Sequence, residues 1–191
     1  MNYKLYSHRN ALTILQNEPE FRETWAEIQD ILHNLTDDRL KNCFKNNFAE
    51  KHKSLSSTIN RLLKEDFGSI GWTTENPIFQ EPKYHGSYWR LDMAKDNISI
   101  ELAFNHGITI AWNLLKPVLA SELNNVQKAI QTKLSVIICA TENLKEKGNF
   151  DGAVGTYEKF IDHLKPMMNI LSVPLLIVGL EAPSSFYLTS E

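Results

Sequence analysis

The chain has 191 residues, 42% of them hydrophobic, 23% charged and 10% aromatic, with eight Gly and seven Pro. This is long enough to bury a sizeable core, and the composition excludes a disordered, collagen-like or disulfide-scaffold protein. Net charge is −3, from 20 basic and 23 acidic residues, which excludes a uniformly basic nucleic-acid binder. The longest apolar run, Pro174–Leu180, is strand-length and far short of the roughly 18 residues of a membrane span. Residues 1–8 (Met-Asn-Tyr-Lys-Leu-Tyr-Ser-His) carry no apolar export signal, and the only cysteines are Cys43 and Cys139. A reduced, cytoplasmic protein with no membrane partner is expected.

In chain order, the first third predicts helix. A short helix is expected over Asn10–Leu15. A longer one follows, in which Phe21, Trp25, Ile28, Ile31, Leu32 and Leu35 recur at three- and four-residue steps. Asn17-Glu18-Pro19 supplies its start, with Asn17 as cap and Pro19 in the first turn. From Arg39 to Lys64 there are seven basic residues (Arg39, Lys41, Lys45, Lys51, Lys53, Arg61 and Lys64) against one acid, Glu50. Such a run either attracts phosphate or is a solvated helix face. A further helix is expected over Ser56–Lys64, closing near Gly68 and Gly71. Residues 1–70 thus form a helical N-terminal part.

Around Gly71 the texture changes. Thr73–Tyr84, with Pro77 and Pro82, predicts loop and an edge strand. Ser87–Met93 predicts a strand that ends near Asp92, Ala94–Asn97 a turn, and Ile98–Asn105 a second strand. In the latter, Ile98, Ile100, Leu102 and Phe104 form one face, and Ser99, Glu101, Ala103 and Asn105 the other. Ile108–Gln131 is helix-like, interrupted at Pro117. Leu134–Ala140 and Pro174–Leu180 are apolar strands on either side of an amphipathic helix over Ala153–Ile170. Strands apolar on both faces that alternate with helices imply an α/β fold, with a mixed sheet covered on both sides. One domain over residues 1–191 is expected, with residues 85–181 as its α/β core.

The hairpin carries the informative chemistry. Asp92 on its first strand and Glu101 on the polar face of its second can reach one point. Two convergent carboxylates are oxygen ligands for a hard divalent cation, which polarises a phosphate. Acids on a solvated hairpin face are the ordinary alternative. In sites of the Asp…Glu-x-Lys pattern, a third polar residue lies two beyond the Glu, on the same strand face. Here that residue is Ala103, which neither ligates, donates a proton nor carries charge. No other constellation competes: there is no phosphate loop, no His-x-x-x-His spacing and no Gly-x-Ser-x-Gly, and nothing calls for an organic cofactor. Of six His, His106 stands out because it directly follows the acid strand.

These residues resemble one family over nearly the whole chain. Residues 3–16 (Tyr-Lys-Leu-Tyr-Ser-His-Arg-Asn-Ala-Leu-Thr-Ile-Leu-Gln) and 25–32 (Trp-Ala-Glu-Ile-Gln-Asp-Ile-Leu) are similar to the start of BstYI-type restriction endonucleases. Residues 91–104 resemble the catalytic hairpin of the BglII and BstYI enzymes, with the same Asp-to-Glu spacing. Gly71-Trp72, residues 155–158 (Gly-Thr-Tyr-Glu) and Pro174–Leu180 have counterparts in matching order.

The resemblance implies a restriction-endonuclease-like fold of the PD-(D/E)xK type: a mixed central sheet with a catalytic β-hairpin, helices on both faces. It further implies a bacterial, Mg²⁺-dependent type II enzyme that works as a homodimer on double-stranded DNA, at a palindrome containing GATC. Asp92, Glu101 and the backbone carbonyl of Leu102 would hold the metal, and Glu75 matches an accessory polar position. Asn105, His106, Asn149 and Thr156 match base-reading regions, and Asn suits adenine while Thr suits thymine or a base edge. For Asn149 and Thr156, a loop residue and a helix cap are the plain alternatives. Lys51 and Lys53 would contact the DNA backbone. Relatives place Gln where this chain has Ala103. The chain could therefore be an engineered or natural inactive form that only binds DNA, or another residue, such as Glu75, supplies the missing group. A monomeric nicking or repair nuclease and a module with no DNA role are the other readings.

Overall fold

Leu134–Ala140 and Leu175–Leu180 are buried at every position, so they can sit only in the middle of a sheet covered on both faces. The computed structural model describes residues 1–48, 53–122 and 125–188 and places them so. Its strands are β1 (Tyr3–His8), β2 (Thr73–Pro77), β3 (Arg90–Lys95), β4 (Ile98–Ala103), β5 (Leu134–Ala140) and β6 (Leu175–Leu180). They form one mixed sheet in the order β1-β6-β5-β4-β3-β2. The neighbours β4, β5 and β6 are parallel, and β1, β3 and β2 run antiparallel to their partners.

The helices are α1 (Ala11–Asn17), α2 (Pro19–Asn34), α3 (Asp37–Asn47), α4 (Ser56–Ser69), α5 (Ile110–Ser121), α6 (Glu142–Lys147) and α7 (Tyr157–Met167). The stripe of α2 (Phe21, Trp25, Ile28, Ile31, Leu32) is buried with Ile59, Leu63 and Phe67 of α4. Both pack against Met93, Ile100, Leu102, Val136, Ile138 and Val178 on one sheet face. On the other face Ile110 and Leu114 of α5, with Phe160 and Leu164 of α7, cover Ala103, Ile137, Cys139 and Ile177. The hairpin is tied to α2 by polar contacts as well. Lys95 Nζ donates to Glu27 at 2.6 Å, and Trp72 Nε1 donates to the same carboxylate at 3.0 Å. Among the described residues, no helix is long and apolar enough to cross a membrane.

The structure departs from the sequence expectations in several places. Residues 3–8 are the edge strand β1, paired with β6, so the chain does not begin in helix. Asn17 ends α1 and Glu18 stands at the cap of α2, where no side chain caps the helix. The helix expected from Ser56 continues past Lys64 to Ser69, at the closure expected near Gly68 and Gly71. Ser87–Trp89 is a 3-10 turn, so the strand starts at Arg90 and Asp92 lies within it rather than at its end. The helix expected to reach Gln131 stops at Ser121. Beyond it, Ala129 donates to Ile78 O at 2.9 Å and Gln80 donates to Gln127 O at 2.9 Å, which pins this stretch as extended chain. α7 begins only at Tyr157 and ends at Met167. Finally, the second hairpin strand has no solvated polar face: β4 is buried throughout, with α5 over Glu101 and Ala103, and Ser99 hydrogen-bonded to Ser135 of β5.

One tight spot has a measurable consequence. A Cβ at Gly179 of β6 would lie 2.6 Å from both Cγ and Cδ2 of the buried Tyr157 ring. Tyr157 opens α7, and its Cβ would lie at 2.8 Å, so the clash is with the base of the side chain and not with a flexible end. Gly179→Ala should therefore cost about 2 kcal/mol of overpacking strain. In a chain of this size that lowers Tm by about 6 °C, as thermal unfolding would show.

Candidate active site

The hairpin turns at Asp96, whose φ of 50° lies in the left-handed region that Asp tolerates. From there Lys95 pairs with Ile98, Ala94 with Ser99 and Met93 with Ile100, and then the pairing stops. The next step of the same register holds Asp92 and Glu101, which face the same side of the sheet. Where the strands part, the Leu102 N–H is met by a side chain of β3: it donates to Asp92 Oδ2 at 2.7 Å. β2 shows a matching gap. Thr74 pairs with Met93 and Asn76 with Leu91, which leaves Glu75 opposite Asp92 with a φ of 53°. A row of three acids, Glu75–Asp92–Glu101, therefore crosses three adjacent strands. The exposed Glu75 carboxylate pairs with Lys64 of α4 at 2.8 Å. Among the described residues, no three His, Cys, Asp or Glu side chains converge closely enough to hold a metal by themselves.

The electrostatics of the pair follow from burial. Glu101 is 1% exposed, and its Oε1 has no hydrogen-bond partner among the described residues. Its Oε2 forms an ion pair with the ammonium of Lys116, on α5. Burial pushes the Glu101 carboxyl up to about 8, with a further push from the Asp92 charge and against the pull of Lys116 and of the Asp92 N–H. Asp92 is raised as well, chiefly by burial, while Lys116, the Leu102 N–H and Lys64 act to lower it. Lys116 is itself 6% exposed and also donates to Arg90 O at 3.2 Å. It is the cation of this site, and the sequence reading missed it. The one available signal was a lone Lys within an otherwise apolar helix, followed by Pro117.

Ala103 is 2% exposed and packs among Ile110, Leu114, Cys139 and Tyr157, so the position two beyond Glu101 is apolar in space as well as in sequence. The segments expected to read bases are brought together. Gly155 N donates to Asn105 O at 2.9 Å, Gly107 N donates to Ala153 O at 2.7 Å, and His106 bridges Val154. Asn105 and His106 are exposed. Asn149, at φ 53°, donates from Nδ2 to Lys53 O at 2.8 Å, which links its loop to the exposed Lys53. Thr156 is fully buried, and its hydroxyl donates to Glu142 at 2.7 Å. Lys51 lies outside the described residues.

The basic run is less uniform in space than in sequence. Arg39 grips Asp66 through two hydrogen bonds of 2.9 and 2.8 Å, Arg61 pairs with Glu65 at 2.7 Å, and Lys64 holds Glu75.

The family model for restriction endonuclease BglII/BglIII matches residues 3–180 of the chain. The chain belongs to that family. The activity of the BglII/BglIII family is site-specific cleavage of DNA. Solved structures agree on the fold. A crystal structure of restriction endonuclease BglII complexed with a DNA 16-mer superposes with a TM-score of 0.70 at 20% identity. That match covers 97% of this chain and 78% of the other. Free BglII gives a TM-score of 0.55 at 16% identity, covering 94% and 79%. No curated protein matches the chain by sequence.

Proposed function

We propose that this chain is a type II restriction endonuclease that uses Mg²⁺ to cut both strands of a GATC-containing palindrome, leaving four-base 5′ overhangs. The observation that carries the reading is the parting of β3 and β4 at Asp92 and Glu101. It puts two carboxylates side by side and leaves Glu101 Oε1 buried without a partner. A buried carboxylate with an open oxygen is costly for folding and suits a site built to bind a cation. Enzymes of this family generally use divalent metal ions, and the donors here are hard oxygens: Asp92, Glu101 and the Leu102 carbonyl. Bound there, Mg²⁺ would supply Lewis-acid polarisation of the scissile phosphate.

The chain's own residues do the rest. The Leu102 N–H fixes the Asp92 carboxylate, and Lys64 holds Glu75 at the edge of the acid row, from which it can turn toward the substrate. Asn105, His106 and Asn149 read bases from the paired loops, while Thr156 positions its loop through Glu142. Lys53, with Lys51 beside it in sequence, contacts the DNA backbone without reading it. The GATC assignment rests on the resemblance of the hairpin and N-terminus to the BglII and BstYI enzymes, and the similar fold of BglII on a DNA 16-mer supports DNA as the partner. Residues 1–191 act as one domain: α1, α2 and α4 of the N-terminal part share a buried cluster with the sheet. Cutting both strands of a palindrome calls for a homodimer. Ile108 at 88% and Tyr88 at 73% exposure offer apolar surface for it near the start of α5.

Ala103 supports a second reading, a DNA-binding protein that does not cleave. Both are tested by incubating the purified chain with phage DNA and Mg²⁺, sequencing the fragment ends and measuring the mass in solution. One repeated end sequence within a GATC palindrome, from a dimer, is expected. A sequence-specific gel shift without cleavage would favour the second reading, and neither binding nor cleavage would overturn both.

A further inference from the structure

Two residues beyond Glu101 this chain buries an apolar side chain, Ala103, in one cluster with Ile110 and Leu114 of α5. The same helix delivers Lys116 to the neighbouring spot. Asn113, Lys116, Pro117 and Ala120 form its other buried stripe, and Ala120 shares a buried cluster with Leu91 of β3. The Lys116 ammonium pairs with Glu101, donates to the backbone of Arg90 two residues before Asp92, and acts electrostatically on both acids. The one helix thus covers the small Ala103 and places the Lys116 cation against Glu101.

A merely structural role explains this poorly. A buried ion pair contributes little net stability compared with apolar groups of similar size, so replacing Lys116 and Glu101 together by neutral groups would fold as well. A buried cation beside an acid with an open oxygen is better explained by a substrate that brings negative charge.

We propose that Lys116 is a catalytic residue of this nuclease: its ammonium contacts the scissile phosphate and stabilises the charge that builds there, the task left open at Ala103. No proton transfer is required of it. The proposal rests on the nuclease reading above, and its test separates the two.

The first readout needs no cleavage. In the Glu101→Gln background, the affinity for a duplex selected by binding from a random-sequence pool is measured against salt concentration, with and without Lys116→Met. Loss of one phosphate contact lowers the slope of log K against log salt by about 1. The double variant replaces the whole buried pair with neutral groups, so it folds even if Lys116→Met alone does not. The second readout is cleavage by Lys116→Met and Lys116→Arg in otherwise unaltered chain. A loss of at least about 100-fold for Met is expected, with partial retention for Arg, which keeps the charge. An unchanged salt slope overturns the proposal, whether or not the chain cuts. If the unaltered chain does not cleave but the slope falls, the nuclease reading fails while the phosphate contact stands.

Discussion

Glu101→Gln should reduce DNA cleavage by at least about 10³-fold while leaving the fold and specific DNA binding in place. The size follows from the work assigned to the carboxylate. A cation's polarisation of a phosphate is worth several kcal/mol, and each 1.4 kcal/mol is about tenfold in rate. Gln keeps the volume and one oxygen for Lys116 but loses the charge that binds the metal. Asp92→Asn should behave alike, because Asn can still accept from the Leu102 N–H. The metal-free protein offers a second signature. Folding raises the Glu101 carboxyl from its ordinary 4.5 to about 8. Below pH 4.5 both states are protonated. Between 4.5 and 8 the folded state holds more protons than the unfolded one, so stability falls as pH rises, and above about 8 it levels off. Glu101→Gln should lack this component of the fall, as melting curves across that pH range would show.

Ala103→Lys, which restores the Asp…Glu-x-Lys pattern by sequence, should damage the protein instead of improving it. Ala103 is enclosed by Ile110, Leu114, Cys139 and Tyr157. A Lys there overpacks this cluster and buries a charge that competes with Lys116 for Glu101. Overpacking costs about 1–3 kcal/mol and an unpaired buried charge several more, so a loss of about 4 kcal/mol is expected. That corresponds to a drop of about 12 °C in Tm. Ala103→Gln, neutral and smaller, should cost about half as much and give no gain in cleavage. A variant that melted like the unaltered chain and cut faster would show that Ala103 is a simple deletion of function and not half of a rearrangement.

These expectations show where the sequence was legible. Asp92 and Glu101 could be found because strand alternation and a short turn are local, and local pattern fixes which side chains share a face. The central strands were legible for the same reason: continuous apolar runs can only be interior. β1 was not, because Tyr3–His8 is an edge strand whose exposure is mixed and whose partner, β6, lies at the far end of the chain. α3 was hidden by its polarity, with only Leu40 buried. The stretch after Ser121 carries Val126 and Ile130 at helical spacing, yet hydrogen bonds to residues 78 and 80 hold it extended. Lys116 was the costliest omission. Its role depends on α5 crossing back over β4, and a Lys in a helix reads as surface until the helix is placed. The solvated hairpin face failed for the same reason, since the covering helix lies outside the hairpin.

The central claim is that the parted hairpin holds a divalent cation between Asp92 and Glu101. The most direct measurement replaces Mg²⁺ with Fe²⁺ in the complex with DNA, adds ascorbate and peroxide, and maps where locally generated radicals cut the polypeptide. Backbone cuts clustered at residues 92 and 101, suppressed by excess Mg²⁺ and absent from Glu101→Gln, are the predicted result. Cuts elsewhere, or an unchanged pattern in Glu101→Gln, would contradict the assignment of this site.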